Sequence, residues 1–174
     1  MNMTIRHERL ADVAPREALL DEAFGDGRLR KSSQRLRDGR PPAEGLAFVA
    51  TEAGRLVGTA RLWDVACGGR PALLLGPVAV ACDRQGEGIG AALIAHAIGA
   101  ARARGHAAIV LVGDAPYYGR FGFTAEKTGA LAMPGPFERH RLLGLELIAG
   151  SLDGACGGIA AAGRPVTKSR RRAA

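Results

Sequence analysis

Residues 73–101 read LLLGPVAVACDRQGEGIGAALIAHAIGAA, and they hold a strand, a glycine-rich turn and a helix in immediate succession. Ala72 to Val80 is a nearly unbroken apolar run, the pattern of a strand buried on both faces. Gly76-Pro77 lies inside it, and proline has no N–H to donate to a ladder. The pairing must therefore be interrupted or splayed at that point. Leu93, Ile94, Ala97, Ile98 and Ala101 recur at helical spacing and make the apolar stripe of the helix. Arg102, Arg104 and Gly105 close it. Between strand and helix, Gly86, Gly88 and Gly90 allow positive φ and a close approach of backbone to a ligand. The first turn of a helix leaves N–H groups unpaired, and its dipole adds partial positive charge. Strand, turn and helix start thus form an anion cradle suited to a pyrophosphate.

Three nucleotide-type ligands carry such an anion. A nucleotide-hydrolysing P-loop needs lysine and a hydroxyl residue after its last glycine, and neither follows Gly90. A dinucleotide fingerprint needs G-x-G-x-x-G and an acidic residue about 20 residues on, at the end of a second parallel strand. Here the glycines are spaced by two, and that later stretch is the helix and Gly105-His106. Coenzyme A is the third candidate.

Gln85-Gly86-Glu87-Gly88-Ile89-Gly90 resembles the Q/R-x-x-G-x-G/A motif of the GNAT acyltransferases. It follows a strand ending Gly76-Pro77-Val78-Ala79-Val80, where that family has its fourth strand. Downstream, Tyr117-Tyr118-Gly119-Arg120-Phe121-Gly122-Phe123 is similar to the family's second motif, Y-x-x-x-G-F. Through Gly113-Asp114-Ala115-Pro116-Tyr117-Tyr118 the chain resembles the subgroup of acetyltransferases similar to bacterial YhbS. The resemblance is sharp from Leu73 to Phe123, looser on either side, and absent in the last residues.

The resemblance implies an acetyl-CoA-dependent N-acyltransferase in which an amine attacks the thioester directly. It implies that the turn of Gln85, Gly86, Glu87, Gly88, Ile89, Gly90 and Ala91 holds the CoA pyrophosphate through backbone N–H groups. Backbone groups of Val78, Ala79 and Val80 would hold the pantetheine arm in the gap between the fourth and fifth strands. An N–H on the Val78 side would polarise the thioester carbonyl. Tyr118 would be the general acid for the departing thiolate, a role that suits a phenol protonated at neutral pH. Acetyl-CoA is expected as co-substrate, with no metal.

Many members of the family carry a glutamate on the fourth strand as general base. Leu73 to Val80 has no carboxylate, so the base is left open among Glu22, Asp64, Asp114, Glu146 and a water chain. The bland readings stay beside these roles. The glycines also suit a plain tight turn, Tyr118 a hydrogen-bonded core tyrosine, and Tyr117 packing. His7, His96, His106 and His140 are scattered, without the carboxylate or cysteine neighbours of a metal site. Gly150-Ser151-Leu152-Asp153-Gly154 has its serine in the wrong place for a nucleophile elbow.

Working outward, the pattern predicts a strand over Thr4–Glu8 and a helix from an Asp12 cap to Phe24. Arg28–Arg40 is a basic segment, either an exposed helix or a loop. A hairpin joins Leu46–Thr51 to Leu56–Val65 across Glu52-Ala53-Gly54-Arg55. After the long helix come a strand at Ala107–Val112, a short helix at Asp114–Arg120, and a return to the sheet at Phe121–Phe123. Arg141–Ile148 reads as the last strand. Residues 1–149 form the expected domain, and 150–174 an expected tail, rich in Gly and Ala and then basic.

The chain has 174 residues, enough for one domain with a real core. Its three cysteines, Cys67, Cys82 and Cys156, are too few and too widely spaced for a disulfide framework or a zinc knuckle. No apolar run reaches the roughly 20 residues that span a bilayer, and Met1–Leu10 does not read as a secretion signal. A cytoplasmic protein is expected. Lys168, Arg170, Arg171 and Arg172 supply four of the net +7 charges, read as a solvated end. No aromatic accompanies them to stack on bases, so nucleic acid and membrane are not expected partners.

The expected fold is α/β, a single GNAT-like domain. Its mixed, mostly antiparallel central sheet splays at strands 4 and 5, with helices on both faces. The expected partner is a small-molecule or peptide amine; the resemblance adds a homodimer, common in the family, and the sequence leaves the oligomeric state open. Two other classes remain open: a non-catalytic CoA-binding regulatory module, and a basic RNA- or ribosome-associated protein.

Overall fold

The computed structural model describes residues 2–166. Among them are eight strands: β1 Met3–His7, β2 Ala47–Glu52, β3 Arg55–Cys67, β4 Arg70–Val80, β5 Ala108–Val112, β6 Leu131–Ala132, β7 Leu142–Glu146 and β8 Gly157–Ala161. The helices are α1 Val13–Phe24, α2 Ser32–Arg35, α3 Ile89–Ala103 and α4 Ala115–Gly119, with short 3-10 turns between some elements. The main sheet runs β1-β2-β3-β4-β5-β7. Its neighbours are antiparallel except β4 and β5. This is the expected mixed sheet of a single α/β domain.

The splay has a visible cause. On the β3 side, Ala60 lies opposite Val78 and Leu62 opposite Leu75, so Gly76 and Pro77 together face Arg61 alone. This is a bulge, and it bends the strand. On the β5 side, pairing is limited to Leu73 with Ile109 and Leu74 with Val110. Beyond the bulge the two strands part. The indole N–H of Trp63 donates to the Gly76 carbonyl at 2.6 Å in a buried bond, which holds the bulge in place.

Alternation along β4 and β5 sends side chains to two faces. Leu73, Leu75, Ile109 and Leu111 meet Ile89, Leu93, Ile94, Ala97 and Ala101 of α3 in one core. Ala79 and Ala81 meet Leu19 and Leu20 of α1 on the other face. Leu74, Val110 and Trp63 face a second core with Leu36, Met133, Leu152 and Ile159. Helices therefore cover both faces, as expected.

Several expectations need correction. Asp12 does not cap α1 with its side chain. Its carboxylate instead accepts two hydrogen bonds from the Arg6 guanidinium, at 2.7 and 2.9 Å, and one from the Arg9 amide at 2.7 Å. The Arg28–Arg40 segment is neither a long exposed helix nor a plain loop. It is a 3-10 turn over Asp26–Arg30 followed by α2, and Ser32 and Leu36 are buried. Phe121–Phe123 forms no strand, and Thr124 alone bridges to Gly144 of β7.

Strand β7 is not the last strand, and the chain does not leave the domain at Gly150. Strand β8 lies antiparallel to β3, with Val65, Ala66 and Cys67 opposite Ala161, Ala160 and Ile159. It occupies the β3 edge beyond Arg61, where the pairing of β2 ends. Leu152, Ala155 and Ile159 are core residues. The sequence reading missed this because glycine and alanine weaken the strand signal. The basic cluster at Lys168–Arg172 lies outside the described residues.

Candidate active site

The glycine turn follows β4 through a 3-10 turn at Cys82–Arg84. Gly86 and Gly88 have φ of +79° and +82°, and an added Cβ would meet nothing within 4 Å at either. Glycine is required there by backbone conformation, and the space in front of it is open. Ala92 N–H donates to Gly88 O at 2.9 Å. The amides of Ile89, Gly90 and Ala91 therefore precede the helical ladder and are available to an anion. Arg84 pairs with Glu52 at the end of β2 and with Glu87, which pins the turn to the sheet.

In front of this turn lies a cleft of about 510 Å³. It is lined by Val78, Ala79 and Val80 of β4, by Gln85, Gly86, Gly88, Ile89, Gly90 and Ala91, and by Arg84, Tyr117, Tyr118 and Arg120. The structure thus brings together Tyr118 and every residue expected to hold the cofactor except Glu87, whose carboxylate turns back to Arg84. Arg84 and Arg120 were not foreseen. Tyr117, read as packing, belongs to this wall. A Cβ on Gly90 would lie 3.2 Å from its hydroxyl, and Arg120 stacks on its ring at 4.4 Å.

Tyr118 is placed by short-range chemistry. The Asp114 carboxylate accepts the Tyr117 N–H at 3.1 Å and caps α4, with Pro116 in its first turn. Gly113 lets the Tyr118 ring lie against the backbone, since a Cβ there would be 2.5 Å from a ring carbon. Tyr117 and Phe123 meet the ring edge-on at 5.1 and 5.9 Å. Burial, then Tyr117, then Asp114 push the phenol up to about 12, while Arg141 opposes them. Tyr118 is therefore a hydrogen-bond donor at any physiological pH.

A second cleft, of about 710 Å³, opens on the other side of the splay. Val78 and Tyr118 line both clefts, so the two meet at the parted strands. It is lined by Arg28, Lys31 and Arg37, by Gly76-Pro77 of β4, and by Asp114, Glu138 and Arg141. Of the four carboxylates considered as base, Asp114 lines a cleft and Glu22, Asp64 and Glu146 do not. Glu146 accepts the amides of Leu152 at 2.8 Å and Gly150 at 3.1 Å, which with Lys127 hold its pKa below the usual range. Glu138 and Arg37 were missed, because only the fold carries them to this cleft from distant stretches of sequence. Among the described residues no group of three or more His, Cys, Asp or Glu could hold a metal ion. No described helix is long and apolar enough to cross a membrane.

The model of the acetyltransferase (GNAT) domain matches residues 43–125. A GNAT family acetyltransferase from Brucella melitensis, solved in complex with acetyl-CoA, is 34% identical over 79% of this chain and 91% of its own, with a TM-score of 0.59. The chain belongs to the GNAT family. The GNAT family N-acetyltransferase YhbS from Escherichia coli, solved in complex with CoA, is 26% identical. That alignment covers 93% of this chain and 91% of YhbS, at a TM-score of 0.79. No curated protein matches the chain. The GNAT assignment accounts for the mixed sheet, the parallel pair β4 and β5, and the order of the two motifs.

Proposed function

We propose that this protein transfers an acetyl group from acetyl-CoA to a small-molecule or peptide amine in the cytoplasm. The observation that carries this reading is the meeting of the two clefts at Val78 and Tyr118. One cleft ends at the N-terminus of α3, and the other is open to an acceptor. The residues fit CoA: the turn combines two left-handed glycines with three amides outside the helical ladder and open space before them. The known CoA and acetyl-CoA complexes of the two relatives support the same assignment.

In this reading the pyrophosphate lies on the amides from Gly86 to Ala91. The pantetheine arm follows Val78 and Val80 through the gap beside β4, and the thioester reaches Tyr118. An acceptor nitrogen in the second cleft attacks the carbonyl carbon, and an amide on the Val78 side stabilises the oxyanion. The C–S bond breaks, and the sulfur draws a hydrogen bond and then a proton from Tyr118. A thiol ordinarily has a pKa near 8.5, well below this phenol. The transfer is therefore completed as the proton lost by the amine restores Tyr118. Asp114, through water, takes that proton from the amine and passes it on to Tyr118, so that the net change is one proton lost by nitrogen and one gained by sulfur.

The test combines binding and turnover. Acetyl-CoA at a hundredfold excess over Kd should stabilise the protein by about 2.7 kcal/mol, with a much smaller effect from NAD or ATP. Gly90→Val keeps a helical φ but fills the space beside Tyr117 and Val80, and should abolish the shift. CoA release is then followed with a panel of amines. Absence of any shift with millimolar CoA would refute the reading, and binding with no turnover on any amine would favour the non-catalytic module.

A further inference from the structure

The second cleft is rich in cations, and they differ in how they are partnered. Arg28 is held by Glu17 and by Asp21. Lys31 stands over the Phe24 ring at 4.9 Å. Arg141 donates from Nε to the Gly113 carbonyl at 3.3 Å and adjoins Tyr118, whose pKa it pulls down. Arg37 differs from these. Its guanidinium makes no hydrogen bond or ion pair among the described residues, and its Nε is shut off from solvent. Its neighbour Asp38 acts on it through space only, partly offsetting the downward pull of burial on its pKa, and accepts its hydrogen bond from Gln34 at 2.7 Å. Nη2 of Arg37 lies beside the bulge, 3.4 Å from where a Cβ on Gly76 would be.

Arg37 thus lies by the bulge of β4 and Arg141 by the end of β5, and both line the second cleft. Burial, with Arg61 close by, pulls Arg37 down to about 10, so it is still charged at neutral pH. A half-buried guanidinium without a hydrogen-bond partner is costly, and an anion bound to it would offset that cost. A planar guanidinium also suits two-point binding of carboxylate or phosphate. The carboxylates of the cleft have other engagements: Asp114 caps α4, and Glu138 lies beside His140.

We propose that the acceptor is an anionic amine, whose carboxylate or phosphate is gripped by Arg37 and Arg141 while its amino group faces the thioester at the splay. This rests on reading the second cleft as the acceptor side of an acetyltransferase. Polycations are repelled by the same field that gathers anions, and amines without an anionic group gain nothing from it.

The experiment compares matched amines: β-alanine with β-alaninamide, O-phosphoethanolamine with ethanolamine, and putrescine as the cation. Acetylation of the anionic member should exceed that of its neutral partner by roughly 10- to 100-fold in kcat/KM, as for hydrogen bonds to charged groups. The two pairs separate carboxylate from phosphate. Arg37→Gln should lose about that factor, mainly through KM. It should leave acetyl-CoA binding unchanged, with Arg37→Lys intermediate. Ligand-free Arg37→Gln should melt no lower than the wild type, since an uncompensated charge is removed; a purely structural arginine would lower the melting temperature. Equal or better use of neutral or cationic amines, or an unaffected Arg37→Gln, overturns the proposal while leaving acetyl transfer intact. If acetyl-CoA binds but none of these amines is acetylated, N-acetyl-β-alanine is titrated into the CoA complex. Binding that Arg37→Gln loses sustains the proposal, and absence of binding overturns it. Failure of acetyl-CoA itself to bind overturns the acetyltransferase reading and this inference with it.

Discussion

Tyr117 and Tyr118 are adjacent in sequence, and Tyr117 lines the first cleft while Tyr118 lines both. The Tyr118 ring sits on Gly113 between both clefts, while the Tyr117 hydroxyl approaches Gly90. Tyr118→Phe keeps the ring and its contacts with Phe123. General acid catalysis contributes about 10²–10⁴-fold, so single-turnover acetyl transfer should fall by that factor while acetyl-CoA affinity barely moves. Tyr117→Phe should show the reverse, with weaker acetyl-CoA binding by a few-fold, about what one hydrogen bond contributes, and unchanged chemistry. A single-turnover rate for Tyr118→Phe close to wild type would assign Tyr118 to packing. The order of the two tyrosines relative to Gly122-Phe123 was legible in the sequence. The contact of Tyr117 with the glycine turn was not, since α4 and Gly90 are brought together only by the fold.

At the scale of elements, the bulge in β4 makes the site. Two residues face one on β3, the strand bends, and β5 is left behind. Trp63→Phe removes the donor to the buried Gly76 carbonyl. Leaving such a group unpaired costs about 1–3 kcal/mol, so stability should drop by that amount in urea unfolding. Acetyl-CoA affinity should drop too, because the gap beside β4 loses its brace; unchanged affinity would show that the bulge holds without the indole.

The tie between β1 and α1 gives a prediction in pH. Hydrogen bonds from Arg6 hold the Asp12 carboxyl at about 2 against the opposing effect of burial, with the Arg9 amide assisting. The folded pKa lies below the ordinary 3.8. The stabilisation is therefore fully present above that value and lost as pH falls towards 2. Asp12→Asn should destabilise by about 1–2 kcal/mol at pH 7, and the difference from wild type should shrink between pH 4 and pH 2, values bracketed by that shift. A difference independent of pH would mean that the carboxylate charge is not what ties the elements.

For the whole molecule, two cores stand on either side of one sheet, and the second is completed by the end of the chain. Leu152, Ala155 and Ile159 lie with Trp63, Leu74 and Val110. Removal of a buried isoleucine side chain costs about 2–5 kcal/mol. Ile159→Ala should lower the unfolding free energy by that amount, which is a large share of the 5–15 kcal/mol typical of a domain. A loss under about 0.5 kcal/mol, the level of surface substitutions, would place β8 outside the cooperative unit.

The sequence by itself determined the strand, glycine turn and helix of residues 73–101, which are written in local periodicity, in residues that tolerate positive φ, and in the missing N–H of Pro77. The family was legible through the resemblance of Gln85–Gly90 and Tyr117–Phe123 to its two motifs, and with it most of the first cleft's wall between Val78 and Ala91. Only the tertiary structure decided which carboxylates and which arginines line the second cleft. Arg37, Asp114 and the pair Glu138 and Arg141 come from three separate stretches, and their meeting depends on the strand order and on the bulge. The tertiary structure also decided that residues 157–161 are a strand. Glycine and alanine carry little intrinsic preference for one, and their place follows from the β3 edge that β2 leaves open beyond Arg61.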